Sequence, residues 1–245
     1  MASKDSDKKP SRLTLLQIEK YPTPKELYEN LMKSPGIDYK SNMAFYQRRD
    51  RALVALLYLG DFRASEVLPL TPDNFEKHTA DKEDSQTYIN VFGVLVGKRK
   101  ANKILFRTAR LPLKGERARF TKLILEYLED ITEYDKEGKR SKNQPRLFAF
   151  SLTKRRYLIK GHDYTLHDGT VRHRYSVQIA GVKREWQIVK ALLPNITQHF
   201  LRAFGYNYDY DMMDHDIMAV TDKTKADPRS LQPYLRRRYE KYPVA

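Results

Sequence analysis

Four short stretches carry side chains suited to handling a phosphate group. In LLYLGDFRASEVLPL an apolar run stops at Gly60, and Arg63 stands at the start of the short helical stretch that follows. Backbone N–H groups at a helix start add to the charge of such an arginine, which outlines an anion site. Glu66, three residues on, offers the competing reading of an ordinary surface ion pair. In His199-Phe200-Leu201-Arg202 a spacing of three on a helix puts imidazole and guanidinium on one face, so one phosphate meets a proton acceptor and a planar fork. A merely solvated face is the alternative there. Tyr234, in DPRSLQPYLRRR, brings a hydroxyl. With a pKa near 10, its phenolate costs about 4 kcal/mol at pH 7 unless a base or a positive field offsets it. The fourth stretch, VGKRKANK, gathers Lys98, Lys100 and Lys103.

The elements that must position these groups are legible in outline. Thr23-Pro24-Lys25-Glu26 reads as an N-cap followed by proline at the first helical position. Tyr46 to Gly60 reads as a longer helix with Leu53, Leu56, Leu57 and Leu59 on its apolar stripe and Gly60 as its stop. After the turn Thr71-Pro72-Asp73-Asn74, Thr87 to Gly97 and Lys103 to Leu113 read as a hairpin whose polar tip is Lys98 to Asn102, with Leu105 and Phe106 among the apolar positions. Gly115 to Tyr134 is helical, with Phe120, Leu123, Ile124, Tyr127 and Leu128 at core spacing. Asp135 to Gln144 is a charged loop, and Asp168-Gly169 marks a second hairpin within Tyr157 to Ile179. The final third is helical: Glu185 to Leu193 forms one helix, and Thr197 caps another that ends near Gly205. Residues 1–12 read as a disordered basic tail and 13–245 as a single α+β domain with a short C-terminal tail.

Composition narrows the partner. The 245 residues hold 46 Lys and Arg against 31 Asp and Glu, a net charge of +15, spread from Arg48 to Lys241 rather than gathered on one amphipathic helix. A polyanion fits that distribution better than a membrane surface, and double-stranded DNA better than RNA, since no stacking motif or glycine-rich RNA loop is present. Zero cysteines exclude disulfides, thiolate zinc sites and a cysteine nucleophile, which suits a cytoplasmic, DNA-associated protein. No run approaches the length of a membrane span.

Taken in order, the arginine after an apolar helix, the lysine-tipped hairpin, the helical HxxR and the late tyrosine resemble the catalytic domain of the tyrosine recombinases, or integrases. RDRALVALLYLGDFRASEVLPL is similar to that family's first box, HFLR to its second, VGKRKANK to the glycine-lysine turn of its catalytic hairpin, and DPRSLQPYLRR to the stretch ending in its nucleophile. The likeness spans about Arg49 to Tyr239 and is dense only around these segments. Where the family commonly has His or Trp nine residues before the nucleophile, this chain has Lys225, which can still donate to a phosphate oxygen; Ala203 follows Arg202 where many members have another His. About 50 residues precede the first box, so the usual N-terminal core-binding domain is expected to be missing.

The resemblance implies a mostly helical α+β domain with small antiparallel hairpins. It implies that Tyr234 attacks a DNA phosphodiester to give a 3′-phosphotyrosine link and a free 5′-hydroxyl. Arg63 and Arg202 would clamp the non-bridging oxygens, and His199 would assist as proton acceptor or donor. Lys98 would protonate the leaving oxygen, with Lys100 and Lys103 as rivals on the same tip, and Lys225 would complete the catalytic set. No metal or cofactor is expected. Lys100, Lys103, Arg155, Arg156, Arg172, Arg174, Arg229 and Arg236 are expected to position duplex DNA through its phosphates. The family also implies four protomers on two DNA sites. Two alternatives share these residues: a type IB topoisomerase-like nicking-closing enzyme, and a catalytically decayed DNA-binding protein on the same scaffold.

Overall fold

The computed structural model describes residues 22–40, 42–76, 86–96, 106–136, 147–148, 158–165, 171–177, 179–224 and 231. Helix α1, Pro24–Lys33, begins as its sequence requires: the Thr23 hydroxyl accepts from the Glu26 N–H at 3.2 Å, while the Glu26 carboxylate accepts from the Thr23 N–H at 2.8 Å. It buries Leu27 and Leu31. Helix α2, Met43–Leu59, starts earlier than Tyr46, and from Ala52 to Leu59 it is buried on every side rather than along one stripe. A helix enclosed in this way is the axis of the core.

Gly60 ends α2 as expected. A Cβ there would stand 2.1 Å from the ring of Phe62, so only glycine lets that ring fold back under the helix end. Asp61 then adopts a left-handed φ of 52°, which aspartate tolerates better than most residues, and the chain enters the four-residue helix α3, Ala64–Val67, with Arg63 at its N-cap. The Thr71–Asn74 turn closes as a 3-10 turn, and the Asn74 amide donates to Phe92 O at 2.9 Å, pinning it to the first hairpin.

That hairpin pairs β1, Tyr88–Leu95, with β2, Phe106–Pro112, in antiparallel register, with a bulge between Val91 and Val94 where Gly93 has a φ of 64°. Its buried face is Ile89, Val91, Val94, Arg107, Ala109 and Leu111. The inward parity of β2 therefore falls on Arg107 and not on Phe106, which is only half-buried. Helix α4, Ala118–Lys136, packs along α2 through Phe120, Leu123, Ile124 and Tyr127, with Leu128 half-buried. The second hairpin is also present, β3 Leu158–Thr165 against β4 Val171–Val177.

Three helices complete the described chain. Helix α5, Ile179–Leu192, begins well before Glu185. Helix α6, Gln198–Met212, follows Thr197 but runs straight through Gly205, so that glycine is no stop. Its carboxyl-terminal neighbour is α7, Ile217–Thr224, whose first N–H groups are capped by Asp216. Tyr206, Tyr210, Val220 and Leu231 form a small apolar cluster of their own, backed by Met213 and Ile217, that seats α7 on α6. No helix of the described residues is long and apolar enough to cross a membrane.

Candidate active site

Glu66 is the hub around which the arginines gather. Its side chain is almost wholly buried on α3, and one oxygen accepts from the Arg63 N–H at 3.1 Å while the other accepts from Arg63 Nη1 at 3.1 Å. The i,i+3 pair weighed from the sequence is therefore formed. It is not an isolated surface pair, because Arg107 Nη2 lies 3.5 Å from Oε2 and Arg202 Nη1 lies 3.9 Å from Oε1. Burial alone would raise the Glu66 carboxyl; Arg107 and Arg202, with Arg63, overcome it and hold the group below the usual carboxylate range. Three guanidinium groups thus surround one carboxylate among the described residues, and the cluster is positive in excess.

Each arginine is set by a different element. Arg63 keeps its side chain 29% exposed at the N-cap of α3, where the helix start adds its own partial positive charge. Arg107 reaches in from β2, donates to Gly60 O at 2.6 Å and lies over the Phe62 ring at 4.7 Å, which fixes it to the end of α2. Arg202 is held on α6 by Tyr206, one turn on, whose hydroxyl oxygen accepts from Nε. The same guanidinium lies over the Tyr206 ring at 5.0 Å. Its Nη1 is buried and makes no hydrogen bond. A buried donor without an acceptor is costly, and here it sits in a positive cluster beside a partly exposed arginine.

The HxxR spacing does not put both groups on a common solvated face. His199 is exposed in the first turn of α6, whereas Arg202 is 5% exposed and points inward. Packing therefore separates an accessible imidazole from a buried fork. Tyr206 and Tyr210 belong to the apolar cluster, and burial first of all pushes the Tyr206 hydroxyl up to about 12. That makes Tyr206 an anchor for Arg202 and a poor source of phenolate.

Lys98, Lys100, Lys103, Arg155, Arg156, Lys225, Arg229, Tyr234 and Arg236 lie outside the described residues. Arg172 and Arg174 are on β4, in register with Tyr164 and His162. Lys225 follows the last residue of α7, and Leu231, wholly buried against Tyr206 and Tyr210, stands three residues before Tyr234.

Beneath the arginines is a second charged layer that the sequence reading did not single out. Arg117 is buried, donates to Asp209 at 2.8 Å, and caps the carbonyl end of α2 through Tyr58 O and Leu59 O at 3.2 and 3.1 Å. Lys223 of α7 also bonds Asp209. Arg107 carried one readable signal, an inward parity on a strand; Arg117 carried none.

No protein-family model matches the chain, and no curated protein matches it in sequence. Among solved structures it is similar to the XerH site-specific recombinase, crystallised as a post-cleavage complex bound to a palindromic difH substrate, at a TM-score of 0.51 and 14% sequence identity. The match covers 89% of this chain and 50% of that one, so the chain spans about half the length of the recombinase. At this identity the likeness is one of fold. The α+β arrangement of helices and small hairpins is a tyrosine-recombinase-like fold, as the sequence motifs predict.

Proposed function

We propose that the chain binds double-stranded DNA and breaks and rejoins it as a site-specific recombinase, through a covalent link between Tyr234 and a 3′-phosphate. The observation that carries this reading is the convergence of Arg63 and Arg202 on Glu66, with a buried Arg202 Nη1 that makes no hydrogen bond among the described residues, in a cluster of excess positive charge. A phosphodiester supplies the oxygens such a fork lacks, and charge-assisted bonds to it are the strong kind. The net charge of +15 and the tyrosine-recombinase-like fold support the same reading.

In the proposed reaction the Tyr234 oxygen bonds to phosphorus, its proton passing to His199 or to water, and the bond from phosphorus to the 5′-oxygen breaks. Lys98 returns a proton to that oxygen, with Lys100 and Lys103 as alternatives on the same hairpin. Negative charge builds on the non-bridging oxygens, where Arg63 and Arg202 stabilise it. Arg107 has a quieter part: by neutralising Glu66 it leaves the other two guanidinium groups their charge for the phosphate. The rest of the basic set, Arg155, Arg156, Arg172, Arg174, Arg229 and Arg236, would hold the duplex by its backbone, and four protomers would assemble on two sites.

A nicked duplex whose cleaved end diffuses away tests the reading. The wild-type chain is expected to yield a denaturant-resistant protein–DNA adduct that Tyr234→Phe does not form, with peptide mapping finding the link at Tyr234 and not at Tyr206. Binding without an adduct would instead support a DNA-binding scaffold without catalysis. Relaxation of any supercoiled plasmid would support a topoisomerase, and exchange confined to one pair of sites the recombinase.

A further inference from the structure

The layer beneath the arginines contains two carboxyl groups where electrostatics would favour one. Asp61 is wholly buried in the turn that leads to Arg63, and neither of its oxygens is reached by an N–H or hydroxyl donor. Its carboxyl lies against α6 at Gly205, one turn before the buried Asp209. The turn is pressed onto α6 so tightly that a Cβ on Gly205 would stand 1.7 Å from Asp61 Oδ1 and 2.8 Å from Tyr58 O. Two ionised carboxylates in such a place would repel strongly, so one must keep its proton. Asp209 has the cations, Arg117 and Lys223.

We propose that Asp61 is a positioning residue: protonated and hydrogen-bonded to Asp209, it ties the turn that carries Arg63 to the helix that carries Arg202, and so sets the spacing of the two guanidinium groups. The inference rests on the reading of those arginines as a phosphate clamp, and extends it to a part of the molecule that touches no DNA. Every element packed around Asp61 presents a titratable or charged group to it: Tyr58 from α2, Arg107 from β2, Arg117 from the start of α4, Arg202, Tyr206 and Asp209 from α6, and Lys223 from α7. Burial, then Asp209, push the Asp61 carboxyl up to about 8, while Arg117 and Lys223 outweigh burial at Asp209 and hold it below the usual range. The proton therefore belongs to Asp61.

The arrangement has a consequence on the alkaline side. When Asp61 ionises, its proton leaves to solvent, the tie becomes a repulsion, and the new charge draws Arg107 and Arg202 away from Glu66. Phosphate affinity then falls although neither arginine has changed.

Two measurements on the full chain test this. The first is thermal unfolding without DNA from about pH 6 to about pH 9. The folded state keeps a proton on Asp61 that the unfolded state has already lost, so the wild type loses stability with rising pH relative to Asp61→Asn, which donates to Asp209 at every pH. Parallel profiles overturn the shared proton, whatever the chain does to DNA. A wild type that forms no adduct defeats the functional reading instead, and leaves this profile to be read. The second is affinity for the nicked duplex. Asp61→Gly keeps the left-handed turn but loses the tie, and is expected to bind about tenfold more weakly or worse at pH 7, while Asp61→Asn stays within about twofold of wild type. Between about pH 7 and about pH 9 wild-type affinity falls and that of Asp61→Asn does not. A folded Asp61→Gly that binds like wild type overturns the tie. Should Asp61→Gly not fold, Asp61→Asn decides alone: a wild-type fall in its affinity overturns the proposal.

Discussion

Nη1 of Arg63 and Nη1 of Arg202 face the same atom, Oε1 of Glu66, at 3.1 and 3.9 Å, although they come from opposite ends of the chain. The carboxylate is what lets them approach. Glu66→Gln keeps the shape and removes the charge, which leaves Arg63, Arg107 and Arg202 to repel one another in a buried site. A loss of about 3 kcal/mol of unfolding free energy is expected at pH 7, read by urea denaturation. Because Glu66 is held below its ordinary value in the folded chain, its contribution is complete above about pH 4.5 and is lost as pH falls through the lower folded value. The gap between wild type and Glu66→Gln should accordingly persist down to about pH 4.5 and narrow below it. A gap that does not change with pH would mean that shape, and not charge, makes the difference.

The two arginines should separate in stability and agree in function. Arg63 is partly exposed, so Arg63→Ala is expected to cost under about 1 kcal/mol of stability. Arg202→Ala leaves the Tyr206 hydroxyl without its donor and Glu66 with one cation fewer, and should cost about 3 kcal/mol. Each variant should lower the slope of log K against log salt by about one unit, measured by anisotropy titration of a duplex. Each should also slow adduct formation by about a hundredfold or more. An unchanged slope and rate in both variants would remove the phosphate clamp.

Gly205 is the point at which α6 and the Asp61 turn touch. Gly205→Ala drives a methyl into the Asp61 carboxyl and the Tyr58 carbonyl, and should cost about 3 kcal/mol. The clash is with a side chain as well as with backbone, so the double variant with Asp61→Gly should recover part of that loss. A double-mutant cycle in chemical denaturation measures the recovery; additive losses would show that the turn and helix do not meet there.

What was legible in the sequence was local, and what was not was set by neighbours distant in the chain. Gly60 reads as a helix end and is one, because the turn follows within three residues. Gly205 reads the same way, yet α6 runs through it, since the residue is glycine to admit Asp61 and not to end a helix. Arg117 and Arg119 are two apart in GERARF; the first is buried on Asp209 and the α2 carbonyls, the second is exposed over the Tyr28 ring, and no local pattern distinguishes them. Arg63 and Arg202 are legible because one follows a helix stop and the other lies in the first turns of a capped helix, whereas the burial of Asp61 beside Asp209 arises only once the turn after α2 packs on α6.

Glu185 offers a second titration that is independent of the arginine cluster. It is wholly buried on α5, and the Gln198 amide at the start of α6, turned with Nε2 toward it, donates to its two oxygens at 2.6 and 2.9 Å. Burial pushes the carboxyl up to about 8 and the Gln198 donations work against it; with burial prevailing, the folded chain holds this proton after the unfolded chain has released it. Stability from this group is full below about pH 4.5 and declines as pH rises toward about 8, by at most about 1.4 kcal/mol per pH unit. Glu185→Gln removes that proton from the balance while its carbonyl still accepts from Gln198. The variant should therefore match wild type near pH 5 and exceed it near pH 8, in urea denaturation followed by circular dichroism. The wild-type slope carries both Asp61 and Glu185, so Glu185→Gln and Asp61→Asn should each remove one share and the double variant both. A Glu185→Gln curve parallel to wild type across that range would mean that the carboxyl is ionised inside the fold, with Gln198 alone sufficient to hold the charge.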